Sequence, residues 1–360
     1  MNSENSAVNM LEQGKEIVCS HCSEKISVMD KAPNTYDNCL SCGTTYEVPL
    51  FIQHFRVESI IRDDGVFVEY QAFDTRLNRN VLLKRLNKVY DQAEAEPVFP
   101  FLDCTGAVNI FSTFTHDDEL YFIFEALNGY SIKSYLKRRE NIDLKKGVHL
   151  AMEICKIMSD VAAEGINHGH LVPESIWVNN DGEVLIKDFM LRQNIINKND
   201  PASRVSEILD VRYCSKQRLQ TLEVNERCDL HSFGTFLYRI LTGTYLYRST
   251  DVDDLFEEQS LGTDHLSALA ELNPAIRSLI IELVKEDGSF TTFSQVLEYF
   301  QTNFVAKKSK SPSSKSSKKS RDFSVKGSAS KAKKKPSVKL PGKGKVAVKG
   351  SKRSLKKLFR

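Results

Sequence analysis

No stretch of about 18 consecutive apolar residues occurs in this 360-residue chain, so the sequence predicts no membrane-spanning helix. The opening MNSENSAVNM has neither a basic start nor an apolar core, and a secretory leader is not expected. Cysteine is scarce and unevenly placed. Of the 8 present, four form two close pairs and four are scattered singly, a usage that fits a reducing cytoplasm rather than a disulfide framework. Acidic residues all but vanish from the C-terminal segment: 21 of the 50 Lys and Arg fall in residues 307–360 against the single acid Asp322. That leaves 29 basic and 46 acidic residues in positions 1–306, so the net charge of +3 hides an acidic body carrying a basic tail.

What is present begins with Cys19-Ser-His-Cys22 and Cys39-Leu-Ser-Cys42, two CxxC pairs separated by 16 residues. Each pair can turn as a tight knuckle with both thiolates on one side, and two knuckles supply the four sulfurs of a tetrahedral zinc site. A redox pair would call for a surrounding βαβ pattern, which is missing. Four cysteines complete a shell, which makes the site closed and structural and leaves His21 a bystander. The segment, residues 15–50, resembles the small prokaryotic zinc ribbons. It is too short to bury much core, so metal is expected to supply most of its folding energy.

The stretch His168 to Met190 reads HGHLVPESIWVNNDGEVLIKDFM. Ile176 to Val178 and Val184 to Ile186 form short apolar runs around Asn180-Asp181-Gly182, a hairpin signal. With Leu171, Pro173 and Glu174 in place, this stretch resembles the catalytic segment of the Ser/Thr protein kinases, especially the bacterial ones. In that family it runs HRDLKPEN, a hairpin, then DFG. The resemblance covers roughly residues 54–304 and implies an α+β, two-lobed fold, with an N-terminal lobe over 54–127 and a C-terminal lobe over 128–304. It also implies ATP and Mg²⁺ as cofactors.

Against that resemblance the chemistry is depleted. His170 stands at the position of the catalytic aspartate, Val172 at that of the lysine which neutralises the transferred phosphate, and Ser175 at that of the magnesium asparagine. Asp188 matches the magnesium aspartate and Lys84, in VLLKRL, the phosphate lysine. Its usual glutamate partner on the next helix corresponds to Glu96 or Glu94, with Pro97 and Pro100 shortening or displacing that helix. The family's GxGxxG turn is replaced by Arg62, Asp64 and Phe67, with only Gly65 nearby, and Glu69 stands where a valine roofs the adenine. Phe124 takes the gatekeeper position. His168 and Asp229, the latter in CDLHSFG, match structural anchors, and Gly243 should end the helix that Asp229 opens. Lys216 and Gln217 replace the glutamate of the APE motif, and its distant arginine partner is absent too.

The tail, residues 305–360, is Lys, Ser, Pro and Gly with few large apolar side chains, and residues 1–14 are likewise read as disordered. The tail is a solvated segment, a strap on the acidic body, or an arm resembling those of histone H1-like proteins that binds nucleic acid through phosphates, without sequence preference and weakened by salt. The combined expectation is a cytoplasmic bacterial pseudokinase: a zinc ribbon, a kinase-like body that binds protein partners and retains weak ATP binding at most, and the basic tail. An atypical, weakly active Ser/Thr kinase and a nucleic-acid-binding adaptor are the alternatives.

Overall fold

The computed structural model describes residues 16–90, 99, 101–198, 201–262 and 267–305. Glu94 and Glu96, residues 1–15 and the tail from residue 306 lie outside that set. The N-terminal module is a pair of small antiparallel hairpins, β1 (Glu16–Val18) with β2 (Lys25–Ser27) and β3 (Tyr36–Asn38) with β4 (Thr45–Glu47). Each CxxC lies in or beside a hairpin turn. Gly43 at φ 73° takes the left-handed conformation that closes the second. Among the described residues the cluster beneath them buries Val28, Val48 and Phe51, with Ile17, Ile26 and Tyr46 partly buried against it, too little apolar surface to hold the hairpins unaided.

A six-stranded sheet in the order β5-β6-β7-β8-β10-β9 follows, comprising β5 (Phe51–Ile52), β6 (Phe55–Asp63), β7 (Phe67–Asp74), β8 (Arg79–Leu86), β9 (Ile110–His116) and β10 (Glu119–Glu125). Its first pairing, Phe51 with Arg56, starts just ahead of the expected boundary. One face packs Phe55, Val68, Tyr70, Val81 and Leu83 into a small core of its own, while the alternate residues Phe67, Leu82, Leu86, Phe122 and Phe124 join the main core below.

That lower core is helical. The helix α1 (Ile132–Arg138) leads to α2 (Leu144–Ala163), which starts where Asp143 caps the amide of Lys146 and buries Leu150, Ala151, Ile154, Cys155 and Met158 along one side. A three-stranded sheet, β11 (Tyr130–Ser131), β12 (Ile176–Val178) and β13 (Val184–Ile186), carries the hairpin that the sequence announces. Two helices follow directly, α3 (Leu191–Lys198) and α4 (Pro201–Ile208), then the short α5 (Lys216–Thr221). The central α6 (Glu226–Thr242) is capped by Asn225 and closed by Gly243 at φ 77°. The outer helices α7 (Val252–Ser260), α8 (Ser267–Glu271), α9 (Pro274–Val284) and α10 (Phe293–Phe304) complete the lobe. Gly234 lets α9 approach α6, since a Cβ there would meet Leu283 Cβ at 2.8 Å.

Candidate active-site cleft

The floor of the cleft is the loop between α2 and β12, and two anchors hold it. Asp229, in the first turn of α6, accepts the backbone N–H groups of His168 at 2.7 Å and Gly169 at 2.9 Å. Burial raises its carboxyl to about 7, against the opposing pull of those two bonds. His168 is buried, with Nε2 3.0 Å from the carbonyl of Lys187 and Nδ1 accepting the N–H of His170 at 3.2 Å. Burial draws it down to about 4, so it is neutral and donates from Nε2. Phe189 packs on its ring at 4.9 Å.

His170 itself is 6% exposed. Its Nε2 accepts the backbone N–H of Asp210 at 3.2 Å, and Nδ1 has no hydrogen-bond partner among the described residues. Because an amide can only donate, the imidazole carries its single proton on Nδ1 and its lone pair is already engaged. Burial, followed by the nearby Arg192 guanidinium, holds it well below the ordinary histidine range. Ser175 turns into its own loop, its hydroxyl donating to the carbonyl of Val172 at 2.8 Å and accepting that residue's N–H at 3.2 Å. Val172 is buried beside it.

The roof is built by strand register. Arg62 on β6 pairs with Glu69 on β7, and Glu69 pairs with Lys84 on β8, so three ionisable side chains stand in one row. Glu69 Oε1 accepts from Arg62 at 2.7 Å, Lys84 at 3.0 Å and Lys187 at 2.9 Å. The position where the family has its adenine-roofing valine is thus held by a carboxylate bonded to three cations. It is a partner of Lys84; Glu94 and Glu96, the glutamates expected in that role, lie outside the described residues. Lys84 also bonds Asp188 Oδ1 at 2.6 Å, and its ammonium lies 5.0 Å from the ring centroid of Phe67 and 5.5 Å from that of Phe124. Lys187 bonds Asp188 Oδ2 at 2.8 Å.

The cations decide the protonation states here. Burial opposes ionisation of Asp188 and Glu69, yet the lysines hold both well below the usual carboxylate range. Burial pulls Lys84 down to about 8, while for Lys187 the two carboxylates outweigh burial and raise it.

At the β6–β7 turn, Asp64 Oδ1 accepts the N–H groups of Val66 at 3.1 Å and Phe67 at 2.8 Å, and Asp63 accepts that of Gly65 at 2.9 Å. The amides of the turn are thus answered by carboxylates of the same turn. Asp64 is held in turn by Arg62 at 3.3 Å and by Arg192 at 2.5 Å. Arg192 comes from α3, which begins at once after Met190. Met190 has φ 57° where the kinase pattern has a glycine, and Asp188 has φ 74°. Such left-handed residues cost about 1–2 kcal/mol each. The neighbouring α4 reaches the upper lobe as well, with Arg204 donating to the carbonyl of Val89 at 3.0 Å and Glu207 accepting from the Tyr90 hydroxyl at 3.0 Å.

Small hollows lie on either side of this charge row among the described residues. One of about 240 Å³ lies between His170, Val172, Arg192 and Asp210. Another of about 110 Å³ lies beside Ile61, Gln71, Leu82 and Leu127. Both fall below the roughly 300–1,000 Å³ usual for small-molecule pockets.

Sequence reasoning assigned nothing to Lys187, Arg192 or Asp210. For Lys187 a signal existed, a lysine directly after the apolar run VLI and directly before the aspartate. The contact of Arg192 with Asp64, 128 residues apart, left no local trace.

In the N-terminal module, Cys19, Cys22, Cys39 and Cys42 bring their sulfurs within 4.8 Å of one another, with Cys19 to Cys42 and Cys22 to Cys39 both at 3.6 Å. A tetrahedral ion at about 2.3 Å from each sulfur fits that cluster. No helix among the described residues is long and apolar enough to cross a membrane.

The profile of the protein tyrosine and serine/threonine kinase family matches residues 69–300. The chain belongs to that family. A probable serine/threonine-protein kinase of Clostridium acetobutylicum is 28% identical over 263 residues, covering 68% of this chain and 39% of its own length. Protein kinase C delta type of Rattus norvegicus is 30% identical over 167 residues, 46% of this chain and 24% of that one. The chain therefore spans well under half the length of these relatives. A crystal structure of Rad53 in complex with AMP-PNP shares the fold with a TM-score of 0.53 at 17% identity, over 69% of this chain and 65% of that one. The kinase fold read from the sequence is thus shown.

Proposed function

We propose that this kinase-family chain is catalytically impaired, a pseudokinase whose closed body serves as a binding module for protein partners. The observation that carries the reading is His170: at the position where a carboxylate would take the proton of the substrate hydroxyl, the imidazole lone pair is committed to the amide of Asp210. Val172 brings no charge to the transferred phosphoryl group, and the hydroxyl of Ser175 is spent on its own loop. The cluster Cys19, Cys22, Cys39 and Cys42 takes one structural zinc ion, and residues 307–360 form an arm for nucleic acid or an acidic partner.

A second reading, a weak Ser/Thr kinase that retains ATP, is favoured by one observation, the bond of 2.6 Å between Lys84 and Asp188. The two separate in a γ-phosphate transfer assay with Lys84→Met as control. Transfer no faster than that of the variant is expected. Robust transfer by the wild type that the variant loses would overturn the proposal.

A further inference from the structure

Lys187, Glu69 and Asp64 are three side chains of the cleft that the reading above does not use. Lys187 is 1% exposed and stands between Glu69 Oε1 at 2.9 Å and Asp188 Oδ2 at 2.8 Å. Lys84 takes the other Asp188 oxygen at 2.6 Å, so both oxygens of that carboxylate already accept from ammonium groups. Magnesium requires near-octahedral oxygen ligation at about 2.0–2.1 Å and usually takes carboxylates as its protein ligands. The donor set here does not supply this: Asp188 is shared by two lysines, Glu69 by three cations, and Ser175 is bonded to Val172. Around them stand Arg62, Lys84, Lys187 and Arg192 against Asp64, Glu69 and Asp188, an excess of one positive charge before any metal arrives. A divalent cation entering beside Lys187 would meet repulsion from a charge that cannot withdraw to solvent.

The β6–β7 turn shows the complementary substitution. Its amides, at Val66 and Phe67, receive the carboxylate of Asp64, and that carboxylate is clamped by Arg62 and by Arg192 from α3. An anion therefore sits on the turn amides, and a cation sits on the aspartate below, both supplied by the chain.

The geometry points to a built-in replacement of the metal and the anion: the Lys187 ammonium holds the place of the divalent cation on Asp188 and Glu69, and the Asp64 carboxylate holds the place of a phosphate on the turn. The lobes are closed on each other by the protein's own charges, and neither divalent metal nor nucleotide is needed to close them. This deepens the reading of the same cleft given above. Metal binding is measured apart from phosphoryl transfer, so the two fail independently.

The probe is Mn²⁺, followed by electron paramagnetic resonance on the full chain, with the zinc site loaded beforehand. Wild type and Asp188→Asn should bind Mn²⁺ alike, through weak surface carboxylates only. Lys187→Ala should gain a site at least about tenfold tighter, and Lys187→Ala with Asp188→Asn should lose it. Amide exchange in the β6–β7 turn of wild type should be unchanged by Mn²⁺ with a nucleotide triphosphate. A wild-type Mn²⁺ site abolished by Asp188→Asn would overturn the proposal even if Lys187→Ala failed to fold, because it needs no lysine variant. So would a well-folded Lys187→Ala that gains no Mn²⁺ site, or slowed exchange of the turn in wild type.

Discussion

Replacing Glu69 with glutamine tests the charge row of the cleft directly. The side chain is 2% exposed and accepts from three cations, at 2.7, 2.9 and 3.0 Å. Glutamine keeps the shape and one acceptor oxygen but removes the charge, leaving Arg62, Lys84 and Lys187 to share Asp188 and the more distant Asp64. Breaking a buried ion pair from one side costs about 3–5 kcal/mol, because the remaining charge is neither solvated nor paired. Against a total stability of about 5–15 kcal/mol this is a large fraction. For a body of this size it should lower Tm by about 10 °C.

Urea unfolding is the assay, since guanidinium would screen the ions under study. The chain has 1 tryptophan, Trp177, buried in β12 of the kinase body, so its fluorescence reports on the body and not on the ribbon. The decisive arm is the double variant. Lys84 is 1% exposed and flanked by the rings of Phe67 and Phe124, an apolar setting that suits methionine. Glu69→Gln with Lys84→Met removes one stranded cation and should be about 2 kcal/mol more stable than Glu69→Gln alone, a coupling that a thermodynamic cycle isolates. If Glu69→Gln costs less than about 1 kcal/mol, or if the two substitutions simply add, the row is a solvated surface cluster in practice and the reasoning fails.

Two further outcomes follow from groups outside that row. Asp229→Ala strands the buried N–H groups of His168 and Gly169 and should cost about 3 kcal/mol in urea unfolding, with Asp229→Asn, which keeps one acceptor, costing less. The pH dependence has a definite sign. With the folded pKa raised to about 7 and the unfolded value near 3.9, the folded state holds the extra proton between them, so this contribution is present below about pH 4 and is lost as pH rises through 7. Wild-type stability should therefore fall from pH 5 to pH 7.5 relative to Asp229→Asn, and an equal slope in both would remove Asp229 as the cause. Purified protein should contain about one zinc per chain, and chelation should raise amide exchange in β1 to β4 while leaving α2 protected, because the cluster beneath the hairpins has just Val28, Val48 and Phe51 as its buried residues among those described. Unchanged exchange in β1 to β4 without metal would show that the hairpins stand alone.

The sequence disclosed what short-range patterns can carry. The hairpin around Asn180-Asp181-Gly182 and the end of α6 at Gly243 each depend on a few neighbouring residues, and each is found where the pattern put it. The meaning of Glu69 was not available in that way. Alone it is a charged residue in an apolar strand and reads as an obstruction. It becomes a partner only through cross-strand register, and the β6–β7 register shifts between Val57 and Ser59 and again between Ile60 and Arg62. A count along the sequence that ignores those shifts does not bring Arg62 opposite Glu69. The same holds for α3 and α4, whose contacts with Asp64, Val89 and Tyr90 cross from one lobe to the other.

The individual departures from the kinase pattern are better understood as a set than one at a time. An aspartate in the glycine turn would be costly beside a bound phosphate, but it satisfies the turn amides when no phosphate is there. A lysine just before Asp188 would compete with a metal ion, but without the metal it keeps two buried carboxylates from being left unpaired. The histidine at the position of the catalytic aspartate has its lone pair engaged by the amide of Asp210, and that same bond ties the floor of the cleft to the segment following α4. On the proposed reading each substitution removes a requirement for the ligand, and each supplies a bond inside the protein. Buried polar groups are tolerated only when they are satisfied, so a cleft that had lost its ligand and kept the ligand's empty contacts would be less stable than this one. On the proposed reading the chain uses its own charges to close the space, while its anchors, His168 and Asp229, hold the loop backbone through bonds that involve no ligand.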